Sequence, residues 1–380
     1  MRRKSFTDAV GHTLYMRART RASVAAAVVA VLGACGSPGR SSAALPLRLV
    51  RDVPLPGSPS RFDYEDVDPT RRRLVIAHLG ASRIDVVDLD TLSVTGTVEG
   101  LDAVHGVRVA PDRGLIYASA TGSNSIVTID EATRRVLATA PAAGYPDGLA
   151  YAAPVGKVYV SDESGGTETV LDARDGHRVG AIALGGEAGN VVYDPVAARV
   201  FVDVQTRDRL AVIDPATDRV IGTMPLPGCR HDHGLLIDPT GRLAFVACDG
   251  NARLLVVELA SGRVVRNFPV GDRPDVLAFD AVSGRLYVAS ESGVVAVFGE
   301  TGTNVVELGQ ARLAAKAHSV AVDPVTHRVF FPLESSRGRP VLRVMAGLTT
   351  SERTAGPRHD AVVSDWDQLD VNGSSLRQTA

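Results

Sequence analysis

The segment Lys157-Val158-Tyr159-Val160-Ser161 decides the fold, because close copies of it recur along the chain, as in Arg285-Leu286-Tyr287-Val288-Ala289-Ser290. Each copy follows the dipeptide Asp-Pro or an equivalent of it. The dipeptides are Asp68-Pro69, Ala110-Pro111, Ala152-Ala153, Asp194-Pro195, Asp238-Pro239, Asp280-Ala281 and Asp323-Pro324. Their second members are 42, 42, 42, 44, 42 and 43 residues apart. A period of this length is typical of the four-stranded blade of a β-propeller.

The pattern within each repeat predicts strands rather than helices. An apolar run such as Leu235-Leu236-Ile237 precedes the dipeptide, and Asp238-Pro239-Thr240-Gly241 has the composition of a tight turn. A third run ends in an acid, as in Ile84 to Asp88, and a fourth follows a Thr, Ser or Gly turn, as in Arg219 to Met224. Short or alternating apolar runs bounded by turn residues favour β-structure.

The two ends of the repeat region complete each other. The seventh repeat lacks a fourth strand after Val341–Met345, whereas Leu47–Leu55 resembles a fourth strand that has no repeat before it. Pairing them removes two open sheet edges. The sequence therefore predicts an all-β fold, a seven-bladed β-propeller over residues 46–346 in which the N-terminal strand closes the last blade.

The repeat resembles the YVTN-type seven-bladed propeller family, and the resemblance covers Leu47 to Met345. It implies the propeller fold. It leaves the activity open, because the family is functionally heterogeneous and fold does not define function.

The N-terminus has the pattern of an export signal. A basic segment beginning at Met16, an alternative start, precedes the apolar run Ala22–Leu32, which is short for a membrane span. Leu32-Gly33-Ala34-Cys35 resembles a bacterial lipobox. We therefore expect residues 1–35 to be a lipoprotein signal peptide with lipid on Cys35, residues 36–45 to be a tether, and residues 347–380 to be a disordered tail. Ordinary secretion with cleavage nearby is the alternative.

Composition restricts the partners. The 380-residue chain has a net charge of −2 and 5% aromatic residues. It therefore lacks the basic stripe and the stacking surfaces that nucleic-acid binding needs. We expect a monomer that meets a small ligand or an envelope protein, with the membrane reached through the lipid.

Two further cysteines, Cys229 and Cys248, lie in one repeat. Export favours a disulfide between them, and a hairpin turning at Pro239-Thr240 brings Cys248 opposite residue 232, near Cys229. Two separate buried thiols are the alternative.

Ionisable residues recur at the start of the first strand of the repeats, where a propeller opens its central channel. This position, six residues before the second turn residue, is called the mouth ring. In blade order it holds Asp63, His105, Asp147, Gly189, His233, Asp275 and His318. Three of the nine histidines of the chain therefore occupy one column.

Imidazoles and carboxylates that converge on one axis allow four interpretations of their role. They line a wet channel, bind a polar ligand, hold a metal ion, or divide acid and base catalysis. A divalent metal is the candidate cofactor, with His233, Asp275 and His318 on consecutive blades as its ligands. The leading function is a binding or scaffold module at this mouth. The alternative is a metal-assisted lyase or hydrolase there, and DNA binding is the least favoured.

Overall fold

The computed structural model describes residues 44–348, and these residues form seven four-stranded antiparallel sheets. The predicted signal peptide, Cys35, most of the tether and residues 349–380 of the tail lie outside the described residues. Within 44–348, no helix has the length and apolarity to cross a membrane.

Six blades are continuous in the chain, and each pairs its strands in sequence order. Blade 1 contains β2 (Glu65–Asp68), β3 (Arg73–His78), β4 (Arg83–Asp88) and β5 (Ser93–Glu99). Blade 2 contains β6 (Val104–Ala110), β7 (Leu115–Ala120), β8 (Ser125–Asp130) and β9 (Val136–Pro141). Blade 3 contains β10 (Pro146–Ala152), β11 (Lys157–Asp162), β12 (Thr167–Asp172) and β13 (Arg178–Ala183).

Blades 4 to 6 repeat this order. Blade 4 contains β14 (Ala188–Asp194), β15 (Arg199–Val204), β16 (Arg209–Asp214) and β17 (Arg219–Pro225). Blade 5 contains β18 (Asp232–Asp238), β19 (Leu243–Cys248), β20 (Arg253–Glu258) and β21 (Arg263–Pro269). Blade 6 contains β22 (Pro274–Asp280), β23 (Arg285–Ser290), β24 (Val294–Thr301) and β25 (Asn304–Arg312).

Blade 7 combines the two ends of the described chain. Its strands are β26 (Ala321–Val322), β27 (Arg328–Ser336), β28 (Arg339–Gly347) and β1 (Leu47–Pro54). The N-terminal β1 pairs antiparallel with β28 from Leu47 opposite Gly347 to Pro54 opposite Val341. The predicted seven-bladed propeller and its closure by the N-terminal strand are confirmed.

The hydrophobic core lies between the blades. Seven apolar clusters each combine side chains from two adjacent blades, including one across the closure between blades 7 and 1. The second strand supplies large buried rings at its third residue, among them Tyr117, Tyr159 and Tyr287. Burial of this apolar surface is the main term that stabilises the ring.

A disulfide joins Cys229 to Cys248, with their Cα atoms 5.4 Å apart. It links the loop before β18 to the end of β19, and so restrains the segment that leads into the mouth ring of blade 5.

Candidate functional site

The mouth ring lies where the first strand of a blade departs from regular pairing. In blades 2 to 6 the register between first and second strands shifts across the ring residue, as between Val104 and Val107 or between Pro274 and Leu277. Such bulges redirect a side chain without ending the strand. The ring residues are therefore positioned by backbone geometry that is repeated around the axis.

The ring is densest on blades 5, 6 and 7, where Asp275 lies between two imidazoles. His318 Nδ1 lies 2.9 Å from Asp275 Oδ2, and His233 Nε2 lies 3.3 Å from Asp275 Oδ1. The other ring nitrogen of His318 lies 3.1 Å from the carbonyl oxygen of Phe62. Because a carboxylate and a carbonyl both accept, both nitrogens of His318 donate, and His318 is an imidazolium.

Electrostatics agree with this assignment. Burial alone lowers the pKa of His233, but the carboxylates of Asp275 and Asp147 outweigh it and raise that pKa to about 10. Burial alone likewise lowers the pKa of His318, but the carboxylates of Asp275 and Asp63 outweigh it and raise that pKa. Burial alone raises the pKa of Asp275, but the two imidazoles hold it well below its usual range. The triad is an ion network in which Asp275 and His318 are buried and His233 is half-buried.

Arg61 extends this network from blade 1. Its guanidinium lies 2.6 Å from Glu291 and 3.3 Å from Asp63. Glu291 is the residue directly after β23, and His318 lies 3.8 Å from it. The acids of this half of the mouth therefore all have cationic partners.

The opposite half, on blades 2 and 3, is differently composed. His105 Nδ1 lies 2.9 Å from the Ala103 carbonyl oxygen and so donates to it, and its Nε2 lies 3.1 Å from the Tyr145 hydroxyl. The two rings meet edge to face.

Asp147 is the carboxylate of this half, and it lacks a close cation. Its side chain is buried, and its Oδ1 has no hydrogen-bond partner within the described residues. Burial raises the pKa of Asp147 to about 7, and the carboxylate of Asp63 adds to the effect. Asp147 therefore changes charge near neutral pH, whereas Asp275 stays ionised.

Blade 4 supplies its acid from another strand. A side chain at Gly189 would collide with Asp203 of β15, which lies 2.8 Å from the position of a Cβ there. Asp203 is fully buried beside Asp232, and burial followed by this neighbouring carboxyl raises the pKa of Asp203 well above its usual range. Both effects favour the protonated form of Asp203.

Two further tiers of residues surround the ring, and sequence reasoning missed them as sets. The residue sixteen positions after the ring residue, at or near the end of the second strand, is polar on six consecutive blades, 2 to 7: Thr121, Glu163, Gln205, Asp249, Glu291 and Glu334. The residue two before each ring position forms the rim: Arg61, Ala103, Tyr145, Glu187, His231, Arg273 and Lys316. Backbone hydrogen bonds of 2.9 Å join the two tiers, as from Glu163 N to Tyr145 O and from Glu291 N to Arg273 O. Both sets could have been identified from the sequence, because each lies at a fixed number of residues from the mouth ring in the repeats.

The floor of the mouth is formed across the axis. The hydroxyl of Tyr64 on blade 1 is buried and faces the side chain of Asn190 on blade 4. The channel holds a cavity of about 260 Å³ that Tyr64 and Asn190 also line, where apolar side chains such as Val107 and Leu149 alternate with polar ones such as Asp66 and Arg108. The channel therefore has a mixed lining.

Two of the three predicted metal ligands meet one geometric criterion and fail another, and His233 is not in the group that meets it. Asp275 and His318 offer ligand atoms that lie, with one from Glu291, within 4.8 Å of one another. However, both nitrogens of His318 already donate to acceptors, and Arg61 holds Glu291 at 2.6 Å. A metal ligand must present a free lone pair. The arrangement present fits an ion network better than a metal centre, and the metal assignment stays a prediction.

Fold and site together define the class: a seven-bladed β-propeller with an ionisable channel mouth. Among solved structures, the chain is similar to a chain of the Kuenenia stuttgartiensis hydrazine synthase, with 16% identity over 75% of this chain and 96% of that chain and a TM-score of 0.66. At this identity the likeness shows the propeller fold alone. No family model matches the chain, and no curated protein matches it.

Proposed function

We propose that this propeller is a binding protein that holds a small polar ligand at its channel mouth. The observation that carries the proposal is the convergence of ionisable side chains from six blades on one mouth, four of them buried and two, His105 and His233, half-buried. One of the buried side chains, Asp147, keeps an oxygen without a hydrogen-bond partner within the described residues. Leaving a buried carboxylate oxygen without a partner costs free energy, and ligand-binding sites commonly keep a few such groups.

Tyr145 provides a direct test, since its side chain is 42% exposed at the rim. Because its φ is 54°, glycine replaces it without backbone strain. We expect a panel of metabolite-sized polar compounds to contain ligands that raise the melting temperature, and Tyr145→Gly to weaken their binding at least tenfold by calorimetry. Arg134→Gly, also at positive φ but away from the mouth, is the control. A panel without ligands, or ligands indifferent to Tyr145→Gly, would refute the proposal.

The alternative, metal-assisted lysis or hydrolysis at the mouth, is distinguished by elemental analysis of protein purified without chelator. One transition-metal ion per chain, lost in the His233→Ala/His318→Ala double variant, would favour it. If zinc, copper and manganese are absent from both the wild type and the double variant, these residues act as an ion network and not as metal ligands.

We further propose that the protein works outside the cytoplasm, anchored through lipid on Cys35. The lipobox-like sequence supports this, and so does the disulfide, because such bonds persist in oxidising compartments. Cys35→Ser is expected to move the protein from the membrane fraction to the soluble fraction and to abolish a diacylglycerol mass increment on the mature N-terminus. A membrane-bound serine variant would count against the anchor.

A further inference from the structure

The mouth separates charge by blade. The rim carries Arg273, Lys316 and Arg61 on the consecutive blades 6, 7 and 1, and no basic residue on blades 2, 3 and 4. The backbone φ is positive at Tyr145, Arg273 and Lys316, between 51° and 54°. The three side chains therefore extend from the same backbone conformation at equivalent positions of their blades. Their side chains therefore belong to one rim.

The rim cations of blades 6 and 7 are weakly engaged. Arg273 is 4.0 Å from Glu291 and Lys316 is 3.6 Å from Glu334, both beyond hydrogen-bond distance. Their side chains are 66% and 56% exposed. Exposed pairs of this length contribute little to stability, so these cations are free to meet an incoming anion.

Blade 3 lies opposite the junction of blades 6 and 7 in a ring of seven. It carries Asp147, with its buried and unpartnered Oδ1, and the exposed ring of Tyr145. Glu163 follows on the same blade, and the ring of His105 is adjacent on blade 2. A carboxylate beside aromatic faces is a recognised environment for an ammonium group.

We propose that the ligand is a small zwitterion whose ammonium group binds Asp147 beside Tyr145 and whose carboxylate spans the mouth to Arg273 and Lys316. This inference rests on the proposed function and adds the ligand class. Complementary charges on both sides select against ligands that carry only one of the two groups.

Binding is expected to be linked to protons. Asp147 titrates near pH 7 in the free protein, and an ammonium group in contact with its carboxylate favours the ionised form. Ligand uptake at pH 7 therefore releases a fraction of a proton, and affinity rises with pH from about 6 to 8. The groups facing Asp147 are His105, Asp63, His233 and Glu163.

The experiment is calorimetry of the full chain with an ω-amino acid series, namely β-alanine, 4-aminobutanoate, 5-aminopentanoate and 6-aminohexanoate. Butanoate and butylamine are the monofunctional comparisons. We expect one member to bind at least tenfold more tightly than either comparison, with a heat that varies with the ionisation enthalpy of the buffer. The best chain length then measures the span between the two subsites.

Asp147→Asn is expected to lower the affinity of that member at least tenfold and to abolish proton release, whereas Asp175→Asn, on the exposed outer turn of blade 3, changes neither. Arg273→Gln is expected to weaken the binding of the zwitterion but not the binding of butylamine. The inference is overturned if none of the amino acids binds, if butanoate or butylamine binds as tightly, or if Asp147→Asn is without effect. The proposed function is judged separately, by the broader panel and Tyr145→Gly.

Discussion

Glu65 is the residue that departs furthest from the sevenfold pattern. It lies two positions after the mouth ring, where the other blades carry Val107, Leu149, Val191, Leu235, Leu277 and Val320. Its side chain is buried near the backbone of Ala321, and neither carboxyl oxygen makes a hydrogen bond of good geometry within the described residues. Burial outweighs the interaction with the Ala321 backbone and raises the pKa of Glu65 well above its usual range, which favours the protonated form in the folded protein.

Glu65→Leu is expected to stabilise the protein, since an apolar side chain suits this position in every other blade. A gain of about 1–3 kcal/mol at pH 7 follows from removing a buried polar group without partners. The unfolded chain releases the Glu65 proton near pH 4.5 and the folded chain releases it only at a higher pH, so wild-type stability falls as pH rises above 4.5. The difference in free energy of unfolding between the leucine variant and the wild type should therefore grow from pH 4 to pH 8.

Denaturant unfolding at several pH values measures this difference, and Glu65→Gln serves as the neutral polar control. A leucine variant that is less stable than the wild type at pH 8 would show that the carboxyl has a stabilising partner.

The Asp-Pro turn is the element that joins neighbouring blades. Its fifth residue, counted from the Asp position, has positive φ in all seven blades: Arg72 56°, Gly114 64°, Gly156 64°, Ala198 50°, Arg242 58°, Gly284 60° and His327 58°. Where this residue is basic, it reaches the turn aspartate of the preceding blade. Arg72 binds Asp323 through two contacts of 2.7 Å, and Arg242 lies 2.7 Å from Asp194.

Arg72→Gly is expected to lower the free energy of unfolding by about 2 kcal/mol. The substitution leaves the buried Asp323 without its cation, and the relief of backbone strain at residue 72 offsets only part of that loss. Burial alone raises the pKa of Asp323, but Arg72 and Thr326 outweigh it and lower that pKa to about 2. The contribution of the pair is therefore present above about pH 4 and is lost as pH falls toward 2. Chemical denaturation of wild type and variant between pH 2 and pH 7 measures it.

Arg242→Gly is the matched control, since its pair joins blades 4 and 5, which are also joined by the chain. Hydrogen exchange should quicken in β1, β27 and β28 for Arg72→Gly and remain unchanged there for Arg242→Gly. Equal exchange in both variants would mean that Arg72 does not secure the closure.

At the scale of the whole molecule, closure depends on contacts between the two ends of the described chain. β1 and β28 share backbone hydrogen bonds, and Arg343 binds Asp52 through contacts of 2.7 and 2.9 Å. His318 on blade 7 also donates to the Phe62 carbonyl before blade 1. One side chain of the mouth ring therefore belongs to both the candidate site and the closure, so changes at His318 affect stability as well as ligand binding.

Sequence by itself determined the blade count, the strand order, the closing strand and the column of ring residues. These follow from local chemistry: turn residues at a constant spacing and short alternating apolar runs specify each blade almost independently. The positions of Asp147, Asp275 and His318 in the mouth followed from the same spacing.

Only the tertiary structure decided how these residues divide their roles. The pairing of Asp275 with two imidazoles, the replacement of a ring acid at Gly189 by Asp203 and the unpartnered state of Asp147 depend on contacts between blades. A repeat period places equivalent residues on one ring but carries no information on which neighbours reach each other or which are desolvated. Since pKa values and ligand selectivity arise from those two quantities, they were set by the folded ring and not by the pattern of the chain.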